Sequence, residues 1–255
     1  MIKAIFFDID GTLLDHDTHL MPSSTFEALK KLRKNGIRLL VATGRTPNNL
    51  KVIQDCFEFD GFLTSNGQYC FNHEVVIHEK YIEREDIRNS LPYINKNQIP
   101  VLFVEINGNY SNIQNYCLDE AARSLNKEGY PIKAVNEIIE SKIIQLMAYI
   151  DETKDSERLS YMPNCKSARW TSLFADIIPI DGGENKGIDQ MIKHYQINLG
   201  EVMAFGDGNN DIDMLKHVGV GVAMGNANDL VKAASDFVTD TINDDGIFKA
   251  LKNLN

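Results

Sequence analysis

The sequence has no apolar run long enough to cross a bilayer, and no secretory signal is expected, since Lys3 leads directly into an acidic motif. Its four cysteines, Cys56, Cys70, Cys117 and Cys165, are widely spaced, with no C-x-x-C pair and no nearby histidine pattern. That spacing argues against a zinc site and points to buried free thiols in a reducing cytoplasm, none placed as a nucleophile. Basic excess is missing as well: 26 Lys+Arg stand against 36 Asp+Glu, a net charge of −10. The deficit is −3 over residues 81–180 and −7 over the rest. Neither part offers the basic surface that nucleic acid or an anionic membrane requires. A phosphate ester is not excluded, because a metal and local cations can focus a field within an acidic chain. There is no repeat, no low-complexity segment and only one tryptophan, Trp170.

What is present is an ordinary globular composition, 43% hydrophobic and 24% charged over 255 residues, enough for one large domain or two modest ones. The chain is organised around Phe6-Phe7-Asp8-Ile9-Asp10-Gly11-Thr12-Leu13-Leu14. The apolar run before Asp8 reads as a buried strand, Lys3–Phe7, bounded by turn residues. Asp8 then falls at its carboxyl end, where open parallel sheets carry their chemistry. Asp8, through its side chain, and Asp10, through backbone or side chain, offer the oxygen ligands that Mg²⁺ prefers.

Taken in order, the chain alternates strand and helix. Ser24-Thr25-Phe26-Glu27 predicts a capping box opening a helix with Phe26, Leu29 and Leu32 as its buried stripe. Ile37–Ala42 reads as a second buried strand ending in Thr43-Gly44-Arg45, with a helix opened by Pro47 after it. Asp60–Thr64 is a third strand, ending in Ser65-Asn66-Gly67, and a hairpin follows with Asn72-His73 at its turn. The middle differs. It contains a helix over Ile82–Asn97 that Pro92 should kink or shorten, a hairpin at Asn107-Gly108, a helix over Ile113–Glu128 and paired strands at Cys165–Trp170 and Phe174–Ile178. The α/β pattern resumes after Asp181-Gly182-Gly183 with a helix from Lys186, a buried strand Val202–Phe205 and the loop Gly206-Asp207-Gly208-Asn209-Asn210-Asp211. The expected fold class is therefore α/β, a Rossmann-like parallel sheet over residues 1–80 and 181–255 with an α+β unit over 81–180 inserted into it.

Four pieces end at strand termini or a helix start and together suit phosphoryl transfer. Asp8 is a carboxylate nucleophile that needs no deprotonation. Asp10 can protonate a leaving oxygen and then activate water. Thr43 and the Gly44 amide offer donors to phosphoryl oxygens, and Lys186 a compact positive charge. Asp207 adds a third metal oxygen, Asp211 supports it from the following turn, and Asn210 can donate to the phosphate. Each alone has an ordinary alternative: a strand-to-helix turn at Thr43-Gly44, a surface lysine at Lys186, a dipole-stabilising acid at Asp211, a plain turn at Asn66, a solvated Arg45. Their conjunction does not.

With these residues in place the chain resembles the haloacid dehalogenase-like (HAD) superfamily, and within it the Cof-type phosphatases with a large type II cap. Asp8–Leu14, Ala42-Thr43-Gly44-Arg45, Asn185-Lys186-Gly187 and Gly206–Leu215 are similar to its four motifs. Ala223-Met224-Gly225-Asn226-Ala227 and Asp245-Gly246 also match habits of the subgroup. Asn185 stands where relatives often have serine, a minor departure. The resemblance implies a Mg²⁺-dependent phosphatase working through an aspartyl-phosphate at Asp8. It implies that Asp8, Asp10 (main-chain carbonyl) and Asp207 hold Mg²⁺, and that Asp8, Ile9 (amide), Thr43, Gly44, Lys186 and Asn210 hold phosphate. The implied substrates are small phosphorylated metabolites, sugar phosphates among them, selected by the cap. On the cap, Arg169 and Trp170 are candidates, with a solvated arginine and a packed tryptophan as the plainer expectation. The expected protein is cytoplasmic, a monomer or weak homodimer, with no nucleic-acid or membrane partner. A phosphotransferase or mutase, a non-enzymatic sensor of a phosphorylated ligand and a protein phosphatase are the competing readings.

Overall fold

The structure is a computed structural model that describes residues 1–124, 128–169 and 173–252. Trp170 lies outside the described residues. The chain divides into two compact units, one of Met1–Arg45, Leu50–His78 and Glu184–Asn255, the other of Thr46–Asn49 and Glu79–Gly183.

The first unit begins with β1 (Ala4–Phe7), α1 (Ser23–Lys34), β2 (Arg38–Ala42), α2 (Lys51–Gln54), β3 (Gly61–Thr64), β4 (Tyr69–Phe71) and β5 (Val76–Glu79). The inserted segment carries α3 (Arg84–Lys96), β6 (Val101–Glu105), β7 (Gly108–Ser111), α4 (Tyr116–Ser124), α5 (Val135–Glu140), β8 (Gln145–Ala148), α6 (Asp155–Leu159), β9 (Cys165–Ala168) and β10 (Ala175–Pro179). The first unit then closes with α7 (Glu184–Tyr195), β11 (Val202–Gly206), α8 (Ile212–His217), β12 (Val220–Ala223), α9 (Asp229–Ala234), β13 (Phe237–Val238) and α10 (Gly246–Lys252).

In the first unit the strand order is β13-β12-β11-β1-β2-β3-β4-β5. The strands from β13 to β3 are parallel, and β4 runs antiparallel to β3. Both faces of this sheet are covered, which is why its strands read as unbroken apolar runs. Ile5, Phe7, Val41 and Phe205 point into one core, closed by Leu29 of α1 and Ile247 of α10. Ala4, Phe6, Leu40 and Ala204 point into the other, with Ile188 and Met191 of α7 and Met214 and Leu215 of α8. Phe7 and Phe205 stack across the β1–β11 register with centroids 5.3 Å apart. Chain order reverses on either side of β1, so its carboxyl end is a topological switch point. The second unit is an antiparallel sheet, β7-β6-β8-β10-β9, whose Phe103, Leu146 and Ile177 pack with Ile87, Leu91 and Ile94 of α3.

Several local expectations are corrected. The helix α1 starts at Ser23 after Pro22, whose carbonyl accepts the Phe26 amide at 3.1 Å, so Ser24 sits inside the first turn and caps nothing. The buried face shifts with it to Thr25, Ala28 and Leu29, and Phe26 is 38% exposed, edge-on to Phe57. Pro92 does not end α3, which runs on through Lys96 with Leu91, Tyr93 and Ile94 buried around it. Arg169 is not solvated: its guanidinium binds Asp155 at 2.7 and 2.9 Å and the carbonyls of Ile150 and Phe174. That tie makes it a structural residue of the second unit's fold. Of the thiols, Cys70 and Cys165 are buried as expected, but Cys117 is exposed.

Candidate active site

At the switch point the two central strands each end in a carboxylate. Asp8 follows β1 and anchors its amide on the Phe205 carbonyl at 3.0 Å, while Asp207 follows β11. Asp211 ends the single turn after β11, and its Oδ2 accepts the amides of Asp207 and Gly208 at 2.9 and 2.8 Å. One oxygen from each of Asp8, Asp207 and Asp211 lies within 4.8 Å of the others.

Three carboxylates this close, two of them buried, repel one another. Burial, with the charges of Asp211, Asp207, Asp10 and Glu184, holds the Asp8 carboxyl well above the ordinary range. Burial and Asp207 push Asp211 up to about 7, and burial raises Asp207. A divalent cation would relieve that repulsion through oxygen donors alone, the donor set that hard cations favour. The residues therefore fit Mg²⁺.

Gly11 makes the approach possible. Its φ is +84°, and a Cβ there would meet Asp207 Oδ2 at 2.2 Å and His16 Nε2 at 2.4 Å. The loop can thus bring Thr12 and His16 onto Asp207, with Thr12 Oγ1 donating at 3.2 Å and His16 Nε2 at 3.3 Å. Asn226 adds a third hold, its Nδ2 donating to Asp207 Oδ2 at 3.1 Å and to the Gly11 carbonyl at 2.9 Å. Thr12 lies within the first motif and His16 just after it, but nothing local in the sequence shows that they turn toward Asp207.

Asp10 is placed differently from its neighbours. Its two carboxylate oxygens accept from Nε and an Nη of Arg45, both at 2.7 Å. Arg45, for which a solvated position was the ordinary alternative, is therefore a member of the site, and the side chain of Asp10 is not part of the three-oxygen cluster. Thr43 is buried after β2, its Oγ1 accepting the Arg45 amide at 3.1 Å, and Gly44 follows it in the same loop. Ile9 is fully buried, and its carbonyl accepts the amides of Thr12, Leu13 and Leu14. The loop after β3 braces this turn, with the amides of Ser65 and Asn66 donating to the carbonyls of Arg45 and Thr43. Ser65, Asn66 and Gly67 have φ of 50°, 53° and 85°, a left-handed run that side chains adopt only at a cost.

Lys186 stands on the first turn of α7, but its half-exposed ammonium lies 4.0 Å from Asp189 and is not paired with Asp8. Asn210 follows β11, its amide donating to Asp211 Oδ1 at 3.2 Å. Sequence reasoning missed Glu184, which is 2% exposed beside this group.

The family model for haloacid dehalogenase-like hydrolases matches residues 5–251. The chain belongs to that family. It is 34% identical over 254 residues to a Bacillus subtilis protein named "Putative phosphatase YkrA", covering 99% of this chain and 97% of the relative. Among solved structures it is similar to the HAD subclass IIB sugar phosphatase BT4131, with 41% identity, a TM-score of 0.92 and coverage of 99% of this chain and 98% of that one. It is also similar to BT1666 of Bacteroides thetaiotaomicron, a HAD phosphatase, with 34% identity, a TM-score of 0.91 and coverage of 99% and 95%. The HAD fold with its parallel sheet is thus shared over nearly the whole chain. Among the described residues no helix is long and apolar enough to cross a membrane.

Proposed function

We propose that this HAD-type phosphatase is Mg²⁺-dependent and hydrolyses small phosphate monoesters, sugar phosphates among them, through an aspartyl-phosphate on Asp8. The observation that carries this reading is the convergence of Asp8, Asp207 and Asp211 at the carboxyl ends of β1 and β11. The similarity to a sugar phosphatase supports the substrate class.

In the first half-reaction an Asp8 carboxylate oxygen attacks phosphorus, the bond to the leaving oxygen breaks, and that oxygen takes a proton from Asp10. In the second, Asp10 removes a proton from water, the water oxygen attacks phosphorus, and the bond to Asp8 breaks. Asp10 must leave Arg45 to act as the acid, so the 2.7 Å fork between them is a resting arrangement. Asp8, Asp207 and the main-chain carbonyl of Asp10 would hold Mg²⁺, with Asp211 supporting them. Bound there, the ion neutralises charge on the phosphoryl oxygens and on Asp8. Thr43, the amides of Ile9 and Gly44, Lys186 and Asn210 hold the remaining oxygens, Lys186 swinging away from Asp189 to do so. We assign substrate choice to the inserted residues 81–180.

The test is phosphate release from a panel of sugar phosphates and other small esters, with Mg²⁺ or with EDTA, in the presence of a free sugar as competing acceptor. Release that EDTA abolishes and Mg²⁺ restores is the expected result. Transfer to the sugar in preference to water would make the protein a phosphotransferase. Ligand binding with Mg²⁺ but no turnover across the panel would make it a sensor.

A further inference from the structure

Ala223–Ala227 and Asp245-Gly246 lie outside the four motifs and take no part in the two half-reactions, yet the fold brings them together beside Asp207. The chain leaves β12 with the Met224 amide donating to the Gly206 carbonyl at 3.0 Å, so the next residues run alongside the end of β11. At Gly225 they meet the segment that follows β13. The Gly225 amide donates to the Asp240 carbonyl at 3.0 Å, and a Cβ there would stand 2.6 Å from both the Asp240 carbonyl carbon and the Thr241 nitrogen. Gly246 closes on the same segment. Its amide donates to the Thr241 carbonyl at 3.0 Å, and a Cβ would collide with the Asp240 oxygen. Asp245, at a φ of 62°, makes the turn that returns the chain to it. Two glycines thus let backbone lie against backbone and fix the Thr241-Ile242 peptide.

The product is a fixed N–H at Ile242, which donates to Asn226 Oδ1 at 3.1 Å. That bond decides which way the Asn226 amide faces, because a carboxamide carries its acceptor and its donors on separate arms. With Oδ1 committed to Ile242, Nδ2 is turned to the site. It donates to Asp207 Oδ2 at 3.1 Å and to the Gly11 carbonyl at 2.9 Å. Asn226 is exposed, so packing does not account for an amide engaged at both ends.

Its two acceptors do. The last torsion of an aspartate side chain is soft, and one donor on each oxygen stops that rotation. Asn226 Nδ2 holds Oδ2 of Asp207 while Thr12 Oγ1 holds Oδ1 at 3.2 Å. Gly11 shares its peptide bond with Asp10, so the bond to the Gly11 carbonyl steadies the turn that carries the Asp10 carbonyl.

We propose that Asn226 is a positioning residue for the cation: it sets the plane of the Asp207 carboxylate and ties the Asp10-Gly11 turn to it, so that both meet Mg²⁺ without reorganising. This rests on the ligand role given to Asp207 under Proposed function. Partners that orient a metal's ligands in this way are worth about 10- to 100-fold in metal affinity.

The test is calorimetric titration with Mg²⁺, without substrate, of wild type, Asn226→Ala, Asn226→Gln, Asp207→Asn, Gly225→Ala and the Gly225→Ala/Asn226→Ala double variant. Mg²⁺ activation curves for phosphate release and melts in EDTA accompany it. Asn226→Ala is expected to weaken Mg²⁺ about tenfold or more and to raise the Mg²⁺ needed for half-maximal release by the same factor. At saturating Mg²⁺ its kcat should stay within about threefold of wild type. Asn226→Gln, which keeps the amide on a longer arm, should recover part of the loss. Gly225→Ala displaces the segment that bears the Ile242 N–H, so it should weaken Mg²⁺ in wild type and add nothing in Asn226→Ala. Should Gly225→Ala not fold, the two Asn226 variants decide.

A residue that serves only the loop's structure would lower the melting temperature in EDTA and leave the Mg²⁺ Kd within about twofold. That result, or an equal loss from Gly225→Ala in both backgrounds, would overturn the proposal. If Asp207→Asn abolishes Mg²⁺ binding while Asn226→Ala does not weaken it, the proposal falls alone. If Asp207→Asn binds Mg²⁺ as wild type does, the ion is held elsewhere, and the metal site under Proposed function fails with it.

Discussion

Asp8→Asn is expected to lower phosphate release by about four orders of magnitude or more, and at the same time to raise the melting temperature of the metal-free protein. The first effect follows from removing the attacking oxygen while keeping the shape of the side chain. The second follows from electrostatics. Asp8 is buried and faces the charges of Asp211, Asp207, Asp10 and Glu184, and burial with those charges raises its pKa. Replacing it by a neutral amide removes both the desolvation of a charge and its repulsion from the neighbours. A residue kept only for packing would give the opposite pair, with activity retained and stability lost. Steady-state release and a thermal melt in EDTA, on the same preparation, check both halves.

The second large effect is on pH. The Asp211 carboxyl titrates near its ordinary value of 3.8 in the unfolded chain and at about 7 in the folded one, through burial and the Asp207 charge. Between these values the folded state holds more protons than the unfolded state, so metal-free stability declines as pH rises. The contribution is fully present below about pH 4 and is lost as pH climbs through about 7. Asp8, Asp207 and Glu184 are raised in the same direction and steepen the loss. In EDTA the melting temperature is expected to fall by about 5 °C or more from pH 5.5 to 8. Mg²⁺ should reverse most of that fall at pH 8 and do little at pH 5.5, because protons and the cation compete for the same oxygens. Melts at the two pH values, with Mg²⁺ and with EDTA, supply the check. A stabilisation by Mg²⁺ that is equal at both would place the ion elsewhere.

What the sequence made legible are features set by local order. Asp8 and Asp207 follow buried apolar runs, so strand period and turn residues alone put them at strand ends, and the parallel sheet then puts them side by side. The features it hid depend on which strands are neighbours or on how a helix is rotated. Arg45 meets Asp10 across 35 positions because β2 lies beside β1, and Asn226 meets Asp207 across 19 because β12 lies beside β11. Glu184 reads as an ordinary first-turn acid, and its inward turn is decided by how α7 packs. The same limit explains α1, where Pro22 moves the helix start and turns Phe26 toward the rim. Arg169 carried no local signal either, since its partner Asp155 belongs to α6 while it follows β9.

The most direct measurement is rapid acid quench of the enzyme turning over a ³²P-labelled sugar phosphate with Mg²⁺, followed by peptide mapping of the precipitated protein. An aspartyl-phosphate route predicts acid-stable, hydroxylamine-labile label on the peptide containing Asp8, and none in Asp8→Asn. Unlabelled protein during sustained turnover, with Asp8→Asn still active, would contradict it and leave direct attack by water in its place.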